Sequence, residues 1–214
     1  MEAIVLLGPP GTGKGTVSEK LKEATKYVHV STGDMLRKAI KENTPAGLNA
    51  KGYMDRGELV PDEVIIKLVE DRLEKDGDGA YMFDGFPRTV TQAELLEKTI
   101  SKAGGNVSHV IYLDAPNDVL MKRLTGRRTC RKCGANYHIV NIPPKKEGVC
   151  DVCGGELYQR PDDREETILN RLKVYEEQTK SLVKWYEDKG ILQRVNSDQG
   201  VTKLIEQITG IIGA

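Results

Sequence analysis

The 214-residue sequence lacks net charge: 32 lysines and arginines balance 32 aspartates and glutamates. Proteins that hold nucleic acid through its phosphates usually carry a basic excess, so no nucleic-acid partner is expected. No apolar run approaches the ~20 residues that a membrane span requires, and no membrane partner is expected. The chain enters a strand pattern almost at once, without the charged, apolar and small-residue order of a secretory signal, which points to the cytoplasm. Cysteines number only four. In that compartment they point to metal rather than to disulfides. No internal repeat and no low-complexity segment is present. Nothing suggests an apolar association face, so a monomer is expected. The length fits one medium domain, or one domain with inserts, and is enough to bury a core.

What is present is organised around Gly8-Pro9-Pro10-Gly11-Thr12-Gly13-Lys14-Gly15-Thr16. It follows the apolar run Ala3–Leu7 and precedes a helical pattern carrying Val17, Leu21 and Ala24. Strand, glycine loop and helix are the setting that a phosphate-binding loop needs. The glycines let several backbone N–H groups turn toward one anion, and the helix adds its positive N-terminal end. Lys14 supplies a point charge that can reach a terminal phosphate. The common pattern has Ser or Thr after the lysine as a Mg²⁺ ligand. Gly15 stands there instead, so a direct hydroxyl–metal bond from the loop is in doubt.

Short apolar runs read as parallel strands at Ala3–Leu7, Tyr27–Val30, Ala80–Phe83, His109–Leu113 and Ile191–Val195. Helical periodicity separates them at Lys14–Thr25, Asp62–Glu74, Thr89–Lys102 and from Arg164 to about Lys189. Alternation of this kind predicts an α/β fold: an open, parallel five-stranded sheet with helices on both faces. Ligands in such folds sit beyond the carboxyl ends of the strands, so chemistry should follow each one. Ser31-Thr32-Gly33-Asp34 follows the second strand; Ser31 or Thr32 can cap the next helix. The polar stretch from Thr32 to Pro61 reads as a small helical insert broken at Gly47, Gly52 and Gly57. Asp84-Gly85-Phe86-Pro87-Arg88 follows the third strand. Asp84 there can meet Mg²⁺ or its waters, and Arg88 can grip a phosphate, although the pair alone would also suit a surface turn. Asp114, after the fourth strand, reads as structural; the guanine-reading Asn-Lys-x-Asp is not there. Pro116 starts a helix that ends at Gly126-Arg127-Arg128.

Two Cys-x-x-Cys pairs follow, Cys130/Cys133 and Cys150/Cys153, with sixteen residues between them. That spacing predicts a tetrahedral Zn²⁺ site. Four thiolates leave no open position, so the metal is structural and stabilises an insert too small for its own core. A hairpin turning near Pro143-Pro144 is expected between the pairs. Arg123, Arg127, Arg128, Arg160 and Arg171 flank this insert, a density that fits phosphate binding, with Asp162 and Asp163 orienting the guanidiniums. His29, His109 and His138 read as structural or surface residues, and Trp185 as a packing residue.

Jointly and in this order, Gly8–Thr16, Ser31–Asp34, Asp84–Arg88, Gly126–Arg128 and Arg160–Asp163 make the chain resemble the adenylate kinases, in the bacterial type with a long, zinc-bearing lid. The resemblance spans essentially the whole chain, and Gly15 is that family's own form of the loop. It implies a core of residues 1–30, 61–126 and 164–214, an AMP-binding insert at 31–60 and a zinc-binding lid at 127–163. It implies that Gly11, Thr12, Gly13, Lys14, Gly15, Thr16, Arg123, Arg127, Asn136, Tyr137 and Gln199 hold ATP. It places AMP against Thr32, Arg37, Glu58, Leu59, Val60, Gly85, Phe86, Pro87, Arg88 and Gln92. Arg160 and Arg171 would bridge the reacting phosphates, and Lys14, Arg88, Arg123, Arg160 and Arg171 would form the catalytic set. The implied ligands are ATP, AMP and ADP, with Mg²⁺ accompanying ATP near Asp84 and reached through water. Rival readings are another nucleoside monophosphate kinase, a P-loop NTPase acting as a switch or motor, and a zinc-ribbon nucleic-acid-binding module.

Overall fold

The structure, a computed structural model, describes residues 1–213. In chain order its elements are β1 (Glu2–Leu7), α1 (Lys14–Ala24), β2 (Val28–Ser31), α2 (Thr32–Lys41), α3 (Pro45–Arg56), α4 (Asp62–Asp76), β3 (Ala80–Asp84), α5 (Val90–Lys102), β4 (Asn106–Asp114) and α6 (Asn117–Thr125). Three short strands follow, β5 (Arg127–Cys130), β6 (Asn136–His138) and β7 (Leu157–Tyr158), then α7 (Glu165–Val174), α8 (Ser181–Asp188), β8 (Leu192–Asn196) and α9 (Val201–Ile212). The large sheet has the order β2-β3-β1-β4-β8, and every pairing in it is parallel.

β1 is central because it is apolar on both faces. Successive side chains of a strand point to opposite sides. Ala3, Val5 and Leu7 enter one core with Leu96 and Ile100 of α5 and Leu182 and Tyr186 of α8. Ile4 and Leu6 enter the other with Val17 and Leu21 of α1 and Leu204 and Ile208 of α9. Each such side chain, fully buried, contributes about 1.5–3 kcal/mol. Strands covered on both sides read as unbroken apolar runs, which is why β1, β3 and the later part of β4 are plain in the sequence, whereas the edge strands β2 and β8 carry exposed and polar residues such as Gln193 and Arg194. β4 begins three residues earlier than expected, at Asn106.

Four expectations need correction. Gly47 and Gly52 do not break the insert; both lie inside α3, and only Gly57, left-handed at φ 73, ends it. Gly47 is needed for contact instead: a Cβ there would lie 2.2 Å from the Ala39 carbonyl of α2. The long helix expected from Arg164 starts at Glu165 and is interrupted by a π turn, Tyr175–Thr179. The expected hairpin near Pro143-Pro144 gives way to a three-stranded antiparallel sheet, β6-β5-β7, whose first turn is the Cys130–Cys133 knuckle. Finally, α9 was not anticipated, although Val201, Leu204, Ile205 and Ile208 have helical spacing.

Candidate functional site

The carboxyl ends of β1, β2, β3 and β8 open on one cleft of about 1060 Å³, above the upper end of what one drug-sized ligand usually occupies. The glycine loop forms its floor. Gly8 has φ 142, and a Cβ on it would lie 2.2 Å from the Leu113 carbonyl at the end of β4. Gly13 caps α1 in the left-handed conformation, which leaves the first helical N–H groups free to meet an anion. Lys14 curls back into the loop, donating to the Gly8 carbonyl at 2.7 Å and the Pro9 carbonyl at 2.8 Å. Burial pushes its pKa down to about 7; Asp84 opposes the fall, while Arg88, Arg171 and Arg127 add to it.

Around that floor the cleft carries eight basic side chains and three acidic ones. Arg88 is lowered to about 10 by burial and then by Arg171; Arg160 is lowered to about 9 by burial and then by Arg37 and Arg127. Guanidiniums remain charged at neutral pH, so these shifts report positive charge crowded away from water without enough counter-anion. Arg127 differs: burial lowers its pKa, yet Asp163 outweighs that and leaves it raised. Asp163 is fully buried and takes Arg127 Nε at 2.7 Å and Arg171 Nη1 at 3.2 Å. Asp162 also pairs with Arg171, at 3.2 Å. Removing a buried charge partner leaves the other charge uncompensated, at a cost of about 3–5 kcal/mol. Asp163→Asn is therefore expected to lower the urea midpoint markedly; an unchanged midpoint would mean that Asp163 does not hold these arginines.

Every residue assigned to ATP from the sequence lines the main cleft, from Gly11–Thr16 through Arg123, Arg127, Asn136 and Tyr137 to Gln199. The polar tips of several face elsewhere. Asn136 Oδ1 accepts from Thr129 Oγ1 at 3.1 Å and from Arg160 Nη2 at 2.8 Å. The Tyr137 hydroxyl takes the Asp151 N–H at 2.8 Å and lies 3.5 Å from Cys150 Sγ. Arg123 donates to the Ser197 carbonyl at 3.0 Å, tying α6 to the end of β8. Arg128, counted in the arginine density, turns back to the Thr125 and Arg127 carbonyls and does not line the cleft.

A smaller hollow beside the main cleft is lined by Thr32, Arg37, Glu58, Leu59, Val60, Gly85, Arg88, Gln92 and Arg171. Ser31, not Thr32, caps α2, accepting from the Asp34 N–H. That leaves Thr32 Oγ1 to donate to the Gly85 carbonyl at 2.9 Å, locking the ends of β2 and β3 together. Gln92 accepts the Arg88 N–H at 2.8 Å and donates to Asp62 at 2.6 Å. Phe86 faces inward and packs 6.0 Å from Phe83 in the core. Pro87 and Arg160 line the main cleft rather than this hollow.

The four cysteine sulfurs lie within 4.8 Å of one another, with Cys130–Cys153 at 3.5 Å and Cys133–Cys150 at 3.6 Å. A tetrahedron with ~2.3 Å metal–sulfur bonds has edges of ~3.8 Å, so the set fits Zn²⁺ closely. A hydrogen bond with Tyr137 pulls Cys150 down to about 6, while burial and hydrogen bonds from the other three sulfurs push Cys133 up, so the cluster must give up protons when it takes a metal. His138 stays out of the cluster. Its Nδ1 accepts from the Val140 and Asn141 N–H groups, and its Nε2 reaches the Lys122 carbonyl at 3.1 Å. It thus joins the small sheet to the end of α6, above Gly126, where a Cβ would lie 2.3 Å from the ring.

Sequence reasoning missed His29. Its Nε2 faces Asp84 Oδ2 at 3.6 Å and its Nδ1 faces Glu19 at 3.4 Å. Its place two residues before Ser31, on the same face of β2, was the available signal. Among the described residues no helix is long and apolar enough to cross a membrane.

A model of the adenylate kinase family matches residues 6–191. The chain is 54% identical over 211 residues to an adenylate kinase of Geobacillus sp. (strain WCH70), covering 98% of each. It is 52% identical to that of Syntrophobacter fumaroxidans, covering 98% of this chain and 99% of the relative. It is 50% identical to that of Bacillus subtilis, covering 98% and 97%.

Proposed function

This chain belongs to the adenylate kinase family and catalyses reversible phosphoryl transfer from Mg-ATP to AMP, giving two ADP; from that premise we propose how its own residues do so. The supporting observation is the positive charge converging on one cleft, eight basic side chains against three acidic ones, with all but Lys122 largely withdrawn from solvent. The main cleft takes ATP on the Gly11–Thr16 loop, and AMP sits where that cleft meets the hollow between Thr32, Arg37 and Gln92, which at about 70 Å³ must widen to admit it.

The nucleophile is a phosphate oxygen of AMP, already ionised at neutral pH. No general base is needed, and catalysis rests on position and charge. Lys14 leaves the Gly8 and Pro9 carbonyls for the phosphates of ATP. Arg88 holds the AMP phosphate, Arg123 and Arg127 hold ATP, and Arg160 and Arg171 face the group in transit. Arg127, Arg160 and Arg171 are already fixed by Asp163, Thr129 and Asn136, so these three need little reorganisation during transfer. Asp84 suits a hard cation: a carboxylate at a strand end, 13% exposed, within the cleft. It would hold Mg²⁺ through water, and the bound cation would neutralise phosphate charge.

Water competes with AMP as acceptor, so the site must close before transfer. Residues 31–60 and 127–163 are the movable parts, on a core of 1–30, 61–126 and 164–214. A contact between the two is already made, Lys41 Nζ to the Arg131 carbonyl at 3.2 Å. Cys130, Cys133, Cys150 and Cys153 would hold Zn²⁺, which would keep residues 127–163 one body turning near Gly126 and Pro161.

The deciding experiment supplies Mg-ATP with each nucleoside monophosphate in turn and counts products. Two ADP per ATP with AMP, and no free phosphate, is the expected result. A preference for another monophosphate would rename the acceptor. Free phosphate independent of any acceptor would remove the AMP site altogether.

A further inference from the structure

His29 is nearly buried, and its Nε2 has no hydrogen-bond partner. An unpaired buried nitrogen of this kind calls for an explanation, because leaving it so costs about 1–3 kcal/mol. The sheet register supplies the context. His29 pairs with Met82, and Asp84 lies two residues further along β3, on the same face. α1 crosses that face, with Gly15 and Glu19 one turn apart on the side that looks down at both. The result is a row, Glu19 Oε1, His29 Nδ1 and Nε2, Asp84 Oδ2, with spacings of 3.4 and 3.6 Å. Among the described residues, no lysine or arginine lies within 4 Å of the Asp84 carboxylate.

We propose that His29 is a positioning residue for Asp84: its Nε2–H holds Oδ2 and leaves the other carboxylate oxygen to face the cleft. The inference rests on the reading of Asp84 as the residue that meets Mg²⁺ through water. A carboxylate free to rotate would divide its time among orientations, and the strand alone does not fix its torsion. The spacing of 3.6 Å is longer than a hydrogen bond, and closing it takes a shift of about 0.5 Å. Hydrogen bonds of catalytic groups are commonly long before substrates bind and tighten in the complex. Partners that orient a metal's carboxylates typically matter 10–100-fold in metal affinity or activity. The competing explanation is that the imidazole only fills space between α1 and the sheet.

The test uses the full chain and three substitutions. His29→Leu removes the donor and keeps the bulk. His29→Gln places an amide N–H at similar reach, whereas His29→Asn is too short to reach Asp84. Two quantities are read: the Mn²⁺ affinity of the enzyme–ATP complex by electron paramagnetic resonance, and kcat against the KM for AMP. His29→Leu and His29→Asn are expected to lower both Mn²⁺ affinity and kcat about tenfold with the KM for AMP unchanged, and His29→Gln to return both to within about twofold. If His29→Leu does not fold, the contrast between Gln and Asn decides. A Leu or Asn variant that melts lower yet keeps wild-type Mn²⁺ affinity and kcat would overturn the proposal, as would a Gln variant as impaired as Asn. Asp84→Asn is the control. Should it too keep wild-type Mn²⁺ affinity and kcat, the reading of Asp84 falls and His29's role with it, whereas impairment by Asp84→Asn alone would sink His29 only.

Discussion

Replacing Lys14 with methionine is expected to lower kcat by at least about a thousandfold while leaving the fold intact. Removing one preorganised donor from a developing oxyanion costs about 10²–10³, and supplied cations at phosphoryl-transfer sites are worth about 10³–10⁵. Methionine keeps the length and apolar stem of the side chain, so packing against the loop survives. The lost interactions of the free enzyme are two hydrogen bonds to loop carbonyls, at 2.7 and 2.8 Å. Burial already holds Lys14 near a pKa of about 7, so the folded state gives up a lysine charge that the unfolded chain keeps up to about 10.5. The unfolded chain therefore binds more protons between those values, and this lysine's penalty on folding fades as pH rises through that window. Methionine removes the penalty outright. The variant should therefore melt no lower than the parent at neutral pH. Steady-state kinetics with circular dichroism on the same sample checks both halves, and a variant retaining most of its turnover would take Lys14 out of the site.

Stripping the metal from the cysteine cluster should produce the second largest effect, on stability rather than chemistry. The small sheet buries little: Cys130, Tyr137, Cys150 and Leu157 are the core it has. Without metal, four thiols within 4.8 Å have only weak mutual hydrogen bonds to hold them. A loss of about 5 kcal/mol lowers the melting temperature of a protein this size by roughly 10–20 °C. Catalysis at low temperature should fall much less, because the cleft arginines are tied by Asp163 and Thr129, not by sulfur. Chelation followed by calorimetry and assay in the cold separates the two. Metal-free protein that is folded but wholly inactive, and is rescued by zinc, would assign the metal a part in the reaction.

Much of this was readable from residues alone, for definite physical reasons. The loop at Gly8–Thr16 is local, and the doubly buried strands announce themselves as apolar runs. The cysteine pairs have a spacing that little else requires. What escaped depends on long-range register or on contact. His29 meets Asp84 only because β2 lies beside β3 at a given offset. Gly47 looked like a helix breaker because its use, close approach to Ala39, involves another helix. The π turn at Tyr175–Thr179 leaves no mark in an apolar pattern that tolerates one extra residue. Asn136 and Tyr137 could be placed at the cleft, but not the direction of their polar atoms, which Arg160 and Cys150 take up.

The central place of β1 also bears on how the molecule comes into being. Its neighbours are β3 and β4, whose first residues, Ala80 and Asn106, pair with Glu2. At ~5–20 residues per second, ribosomal synthesis separates Glu2 from Asn106 by roughly 5–20 s. Until Asp84 has been made the most apolar strand of the chain has no partner, and its β4 edge stays open to the end of that interval. The loop that follows it is no better placed, since Gly8 closes against the Leu113 carbonyl of β4. The phosphate-binding loop, although encoded within the first sixteen residues, is thus among the later parts of the nascent protein to take shape. Until then the N-terminal strand is a segment for a chaperone to shield.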